Sequence, residues 1–303
     1  MIFDDFSERS LLLSGRMAAR QLPRGGPVAD LRDVEFRVFS QGGEDGVIEW
    51  LVAHLPLTSR RFIEFGVQDF REANCRFLLQ NRGWKGLVFD SSPANILSLR
   101  SQQMFWMHDL TAAPAFVTAE NINALVTATG FAGPAGVLSI DIDGNDYWVW
   151  QAIDCVDAAI VVCEFNAIFG DTRCLAVPYD PAFERHKGHF SGQYYGASIG
   201  AFKRLAAAKG YSFAGTGSNG VNAFFVRNDL ADTVLSLIGK VRAFPSQHRD
   251  SRDAAGRLTF VGGAARFDLI GDMPVIDVET GQKLRLGDIA TPYSDDWLAQ
   301  MAG

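Results

Sequence analysis

Residues 61–90 read RFIEFGVQDFREANCRFLLQNRGWKGLVFD. Arg61–Val67 and Gly86–Asp90, at its two ends, are short and almost continuously apolar. That is the pattern of strands buried on both faces, and it is too short for a helix. Between them Arg71–Asn81 is helical in character and stops at Gly83. Strand, helix and strand with short connections make one unit of a parallel sheet.

The rhythm continues downstream. Ser92-Pro93 is a helix start, with serine as N-cap and proline in the first turn. Gln103–Asp109 reads as a strand. Thr118–Thr129 reads as a helix with Ile122, Leu125 and Val126 on one face and Gly130 after its end. Val137–Asp141 and Ala158–Glu164 are two further buried strands, separated by a short helix over Asp146–Ile153. The expected fold is α/β, a doubly wound and mostly parallel sheet with helices on both faces.

Outside this block the pattern changes. Residues 1–40 are broken by Pro23, Gly25, Gly26 and Pro27 and are expected to form an irregular N-terminal arm, where subunits would pair in a homo-oligomer. Ser40-Gln41-Gly42-Gly43-Glu44-Asp45-Gly46 precedes a helix carrying Val47, Ile48, Leu51 and Val52. A capping box from Ser40 needs an acid at position 43, and Glu44 misses it by one. Residues 167–196 have little periodicity and many aromatic and histidine side chains, which suggests a lid or binding loop. A helix at Ala197–Lys209, a hairpin of Tyr211–Gly215 with Asn222–Arg227, and a helix at 229–241 follow. The expected organisation is an arm (1–40), a catalytic domain (41–241, including the lid 167–196) and a C-terminal extension (242–303), strand-like from about residue 257.

Of the 303 residues, 48% are hydrophobic and 21% charged, enough for a full core without staples. The net charge of −7 and the lack of a Lys/Arg cluster argue against a nucleic-acid partner. No apolar run approaches the ~18 residues of a membrane span, and the N-terminus lacks the basic and apolar regions of a signal peptide, so no membrane partner is expected. The four cysteines form no C-x-x-C pair, which fits a reduced, cytoplasmic protein.

Ligands of doubly wound sheets sit beyond the carboxyl ends of the strands. Every strand read above ends on an acid: Glu64 (then Gly66), Asp90, Asp109, Asp141 with Asp143, and Glu164 (then Asn166). An acid ending the second strand can accept both hydroxyls of a ribose, and Asp90 follows Glu64 by 26 residues, near the expected ~20. A dinucleotide needs G-x-G-x-x-G, yet the first turn is Gly66-Val67-Gln68-Asp69-Phe70. Asp69 would repel a pyrophosphate there. Adenosine without phosphates fits better, and S-adenosylmethionine (SAM), with its cationic sulfonium and amino groups, suits an acid-lined pocket.

These residues resemble the class I SAM-dependent methyltransferases, with a seven-stranded Rossmann-like sheet, and within them the FkbM-like family. The resemblance rests on Ser40–Gly46, Phe62–Gly66, Glu72-Ala73-Asn74, Gly83–Gly86, Asp141–Trp148 and Glu164-Phe165-Asn166, and spans roughly residues 40–230. The first turn departs from it, because many members carry a second glycine where Gln68-Asp69-Phe70 stands. The resemblance implies that Glu64 and Gly66 flank the methionine part of SAM, Asp90 holds the ribose, and Asp109 with the Leu110 backbone faces the adenine. It places Asp141 near the transferred methyl, Gln41 over the carboxylate end, and Asn74 as cap of the helix beneath.

The run Asp141-Ile142-Asp143-Gly144-Asn145-Asp146 is no EF-hand, because its glycine is fourth and its twelfth residue is Ala152. Two readings stand: Asp141, Asp143 and Glu164, joined by Asn166, hold Mg²⁺ through oxygen ligands, or Asp143 or Asp146 caps the following helix. Candidate general bases are Asp143, His186 and His189; the two histidines read equally as surface residues without a role. Tyr194 and Tyr195 suit a carbohydrate acceptor. The expected function is SAM-dependent methylation, by O-methyl transfer to a sugar or small hydroxylated metabolite. The alternatives are an NAD- or nucleotide-using enzyme and a silent binding protein on the same fold.

Overall fold

The computed structural model describes residues 2–23 and 25–302. Its centre is the strand pair read from the sequence, β1 (Arg61–Phe65) beside β2 (Lys85–Asp90), parallel and in register from Arg61↔Lys85 to Phe65↔Phe89. Side chains alternate between two cores. Phe62 and Val88 pack into one, Ile63, Phe65, Leu87 and Phe89 into the other, and all are buried. The near-continuous apolar runs follow from that double burial.

Upstream lie α1 (Ile2–Gln21) and α2 (Glu44–His54). After β1 come α3 (Arg76–Arg82), ending on Gly83 in the left-handed region, and then β2. Next are α4 (Pro93–Ser101), α5 (Gln103–Met107), β3 (Leu110–Pro114), α6 (Ile122–Ala128), β4 (Gly133–Ile140), α7 (Asp146–Ala152) and β5 (Val156–Glu164). Ser92 Oγ accepts the Asn95 amide of α4 at 3.3 Å, the cap expected from Ser92-Pro93.

The chain then forms β6 (Leu175–Ala176), α8 (Arg185–Gly188), α9 (Ile199–Ala208), β7 (Tyr211–Thr216), β8 (Asn222–Arg227) and α10 (Asn228–Leu235). It closes with α11 (Ala265–Leu269), β9 (Pro274–Asp277), β10 (Lys283–Arg285) and α12 (Asp295–Ala302).

Seven strands form one sheet in the order β3-β2-β1-β4-β5-β8-β7. The first five are parallel, and β8 runs antiparallel between β5 and β7. The topological switch point lies between β1 and β4. A second sheet, β10-β9-β6, ties the C-terminal part to the stretch after β5.

Four expectations change. The region read as an irregular arm begins with the twenty-residue helix α1, which lies before the Pro/Gly breakers and packs on α2 and α3. Gln103–Asp109 is not a strand: α5 occupies Gln103–Met107, with Trp106 and Met107 exposed, and the chain extends only from Leu110. The stretch 167–196 is anchored, because Ile168, Phe169, Leu175, Val177 and Tyr194 share a core with Phe267, Ile270, Val275 and Leu286 from the tail. The tail itself is mixed, with two short strands and two helices. No helix among the described residues is long and apolar enough to cross a membrane.

Candidate active site

The carboxyl ends of β1, β2, β4 and β5 and the start of β8 open on one edge. Two adjoining cavities there, of about 220 and 170 Å³, share Gly66, Gln68, Asp141 and Asp143 in their walls. Together they come within the ~300–1,000 Å³ of small-molecule sites. A larger cavity of about 650 Å³ lies elsewhere, lined by Arg16, Arg20, Trp50, His54 and Arg82. Arg20, His54 and Arg82 stand in the last turns of three helices, where cations offset the carbonyl ends, and Arg82 already pairs with Glu49 at 2.8 Å.

The first turn is built by close backbone approach. Gly66 has φ +73°, and a Cβ on it would sit 1.6 Å from the Asp141 carbonyl oxygen. Gln68 (φ 49°) and Phe70 (φ 63°) are also in the left-handed region, as is Asp143 (φ 57°) across the cavity. The turn thus makes with ordinary side chains a bend that glycines usually make, and such strain concentrates at functional sites.

Asp90 holds this turn. Its Oδ2 accepts the Gln68 amide at 2.7 Å, and its Oδ1 accepts Ser92 N and Asn95 Nδ2, both at 2.9 Å. A carboxylate has about four acceptor positions, so Asp90 keeps room for one more bond at the wall it shares with Ser91, Phe116 and Val117. Glu64 lies beneath: it accepts Asn74 N at 2.7 Å and Cys75 N at 3.0 Å, capping the start of α3. Burial pushes its carboxyl up to about 7, against the opposing pull of those two amides. The cap of α3 is therefore Glu64; the Asn74 side chain donates to Ser139 Oγ at 3.1 Å.

Gln41 lines the smaller cavity at its mouth. Its loop is fixed by two acids. Asp45 Oδ2 accepts the amides of Val38, Phe39 and Ser40 at 2.7–2.8 Å, and Glu44 accepts from Gly42 N, Asn219 Nδ2 and Asn222 Nδ2. Gly43 holds the N-cap position of α2, and Ser40 Oγ accepts the amide of Asp45 in its first turn at 3.1 Å.

At the floor, Asp146 accepts Ile142 N at 2.8 Å and Gly144 N at 2.9 Å, so it holds the loop that carries Asp143. Asp141, Asp143 and Glu164 come together, with one oxygen of each within 4.8 Å of the others. Burial, then Asp143 and Asp146, raises the Asp141 carboxyl well above its ordinary range; burial, then Asp141 and Asp143, does the same to Glu164.

The residue missed by sequence reading is Arg185. Its Nη1 lies 2.5 Å from Asp143 Oδ1 and 3.8 Å from Glu164 Oε1. Its Nη2 is 3.5 Å from Asp250, its Nε donates to Gly192 O at 2.7 Å, and its guanidinium stacks 3.8 Å from the Tyr195 ring. The Arg185 charge stands against Asp143 and Glu164, two of the three acids that the Mg²⁺ reading groups, and a cation beside the cluster disfavours a divalent ion within it. Asn166 does not join them. Its side chain donates to Gln193 O and Tyr195 O and accepts from Ile168 N.

Five other expected site residues lie away from the cavities. Asp109 precedes β3, pairs with Lys85 at 3.5 Å and is 64% exposed, on the opposite edge of the sheet. Leu110, paired with Gly86, goes with it. Phe116 and Val117, after β3, reach the cavity instead. His186 is exposed; His189 bonds Ser191 Oγ at 2.7 Å, and burial lowers its pKa. Tyr194 is a core residue whose hydroxyl is bonded to Pro274 O.

A seven-stranded sheet in this order, with one antiparallel strand inserted next to the edge, is the class I methyltransferase fold. No family model matches the chain, and no curated protein matches it in sequence. Among solved structures it is similar to the N-terminal domain of EvdMO1 with bound SAH, the demethylated product of SAM (10% identity, 70% of this chain and 93% of that one, TM-score 0.40). It is similar also to an O-methyltransferase from Bacillus cereus in complex with SAH (14% identity, 71% and 89%, TM-score 0.40). A third is an S-adenosylmethionine-dependent methyltransferase from Clostridium acetobutylicum (9% identity, 61% and 90%, TM-score 0.39).

Proposed function

We propose that the protein is a SAM-dependent methyltransferase of the FkbM-like kind that methylates a hydroxyl of a sugar or small hydroxylated metabolite. The observation that carries this reading is the acid-lined pair of cavities at the switch point, with Asp90 at the end of β2 and the tight Gly66–Asp141 approach between them. SAM, when bound, supplies a methyl group on a cationic sulfur. Asp90 would take a ribose hydroxyl with its remaining acceptor position, and Phe116 and Val117 would cover the base. Gln41, Glu64 and Asn74 line the cavity assigned to the methionine part.

Asp143 lines both cavities; its Oδ1 bonds Arg185, and its Oδ2 has no hydrogen-bond partner among the described residues. It is the proposed acceptor of the hydroxyl proton, and Arg185 holds it in place. Positioning does most of the remaining work in such a transfer. Calorimetry with SAM, SAH and NAD tests the reading. Binding of SAM and SAH without NAD is expected. Binding of NAD alone would overturn it, and binding of none would make the chain a non-catalytic member of the fold.

A further inference from the structure

Three acids brought this close repel one another unless their charge is offset. Beside the protons that burial favours on Asp141 and Glu164, a positive side chain stands here, held from several directions: Asp143, Asp250, the Gly192 carbonyl and the Tyr195 ring all fix the Arg185 guanidinium. It is 17% exposed, so it is a built part of the cavity wall and no loose surface residue. Glu164 is 6% exposed and lines the same cavity, and its Oε2 has no hydrogen-bond partner among the described residues. A buried acceptor left open beside two other acids has the chemistry of a cation ligand. The oxygens are arranged for a cation, and the cation present is a guanidinium.

We propose that Arg185 is a permanent, protein-borne replacement for a divalent cation, and that its removal turns Asp141, Asp143 and Glu164 into a metal site. Of its five N–H groups three are engaged, by Gly192, Asp143 and Asp250. Two are left for an oxygen of a bound molecule, the polarising task that a metal performs elsewhere. The proposal does not depend on methyl transfer, and its readout is ion binding alone.

The test is Mn²⁺ titration of the full chain, followed by electron paramagnetic resonance of the free ion. Wild type and Arg185→Lys are expected to bind no ion at the cluster. Arg185→Ala should bind Mn²⁺ at least about tenfold more tightly than wild type, because one unit of positive charge within ~4 Å has gone. Adding Asp143→Asn to that variant should abolish the gain. If Arg185→Ala does not melt cooperatively, Arg185→Met is read instead, since its stem still covers Tyr195. A folded Arg185 variant that binds Mn²⁺ no better than wild type overturns the proposal. So does wild-type Mn²⁺ binding that Asp143→Asn removes, which would show the arginine yielding to the metal.

Discussion

Gly66→Ala is the substitution on which the site geometry makes its sharpest statement. The new Cβ would lie 1.6 Å from the Asp141 carbonyl oxygen and 2.8 Å from its carbon, both backbone atoms without a rotamer to move. Ordinary carbon–oxygen contacts are ~3.3–3.6 Å, so the end of β4 must retreat by roughly 1.5–2 Å. The residue must also keep φ near +73°, which costs an alanine ~1–2 kcal/mol. The two together should destabilise the protein by about 2–4 kcal/mol. For a chain of this size that lowers Tm by roughly 3–6 °C. Because the retreat carries Asp141 and Asp143 with it, SAM affinity should fall on the order of a hundredfold. Differential scanning calorimetry reads the first effect, and isothermal titration with SAM and SAH reads the second. A variant that melts as wild type and binds SAM as wild type would show that the close approach is not real. One that melts lower but binds SAM normally would put the cofactor elsewhere.

Asp90→Ala removes one charge-assisted bond to the ribose, worth ~1.5–3 kcal/mol, and frees the Gln68 amide, so SAM titration should show at least about tenfold weaker binding. Asp143→Asn should lower turnover by at least about a hundredfold while SAM affinity stays within a few fold; near-normal turnover would remove Asp143 as the base. His186→Ala and His189→Ala should turn over as wild type, and a large loss in either would bring a histidine into the chemistry. The Glu64 carboxyl is raised from 4.5 to about 7 by burial, so the folded protein holds a proton across that window that the unfolded chain has released. Its contribution to stability therefore declines as pH rises through the window, by up to about 3 kcal/mol. Urea unfolding of wild type against Glu64→Gln at about pH 5 and pH 8 measures this difference, and an unchanged difference would refute the assignment.

What the sequence showed best was the double burial of the parallel strands. Phe62–Phe65, Leu87–Phe89, Val137–Ile140 and Ala158–Cys163 have no face to give to water, and their composition says so. Asp90 and the Asp141–Asp146 loop were legible for a related reason, because their place follows from where a strand must stop. The third strand was not, since Gln103–Met107 is more apolar than Leu110–Pro114, yet its Trp106 and Met107 face solvent. Burial there is decided by packing between elements, which local composition does not record. Arg185 was hidden for a stronger reason. Nothing beside it in the sequence marks it, and its partners come from 42 residues before and 65 after. The neighbouring histidines drew attention by their chemistry alone, whereas function at this edge is assigned by contacts.

The small sheet β10-β9-β6 also bears on how the chain is made. The seven-stranded sheet is complete once Arg227 has left the ribosome, but the partners of Ile168, Phe169, Leu175 and Val177 are synthesised later. During that interval a patch of apolar surface next to the cleft stays open, with Arg185 lacking the Asp250 that helps to fix it. A chain cut short before β9 would carry an intact Rossmann-like core and an exposed sticky flank, a form suited to capture by chaperones and proteases. Residues 242–303 thus act as a seal over that flank, and translation that stops before them betrays itself on the surface.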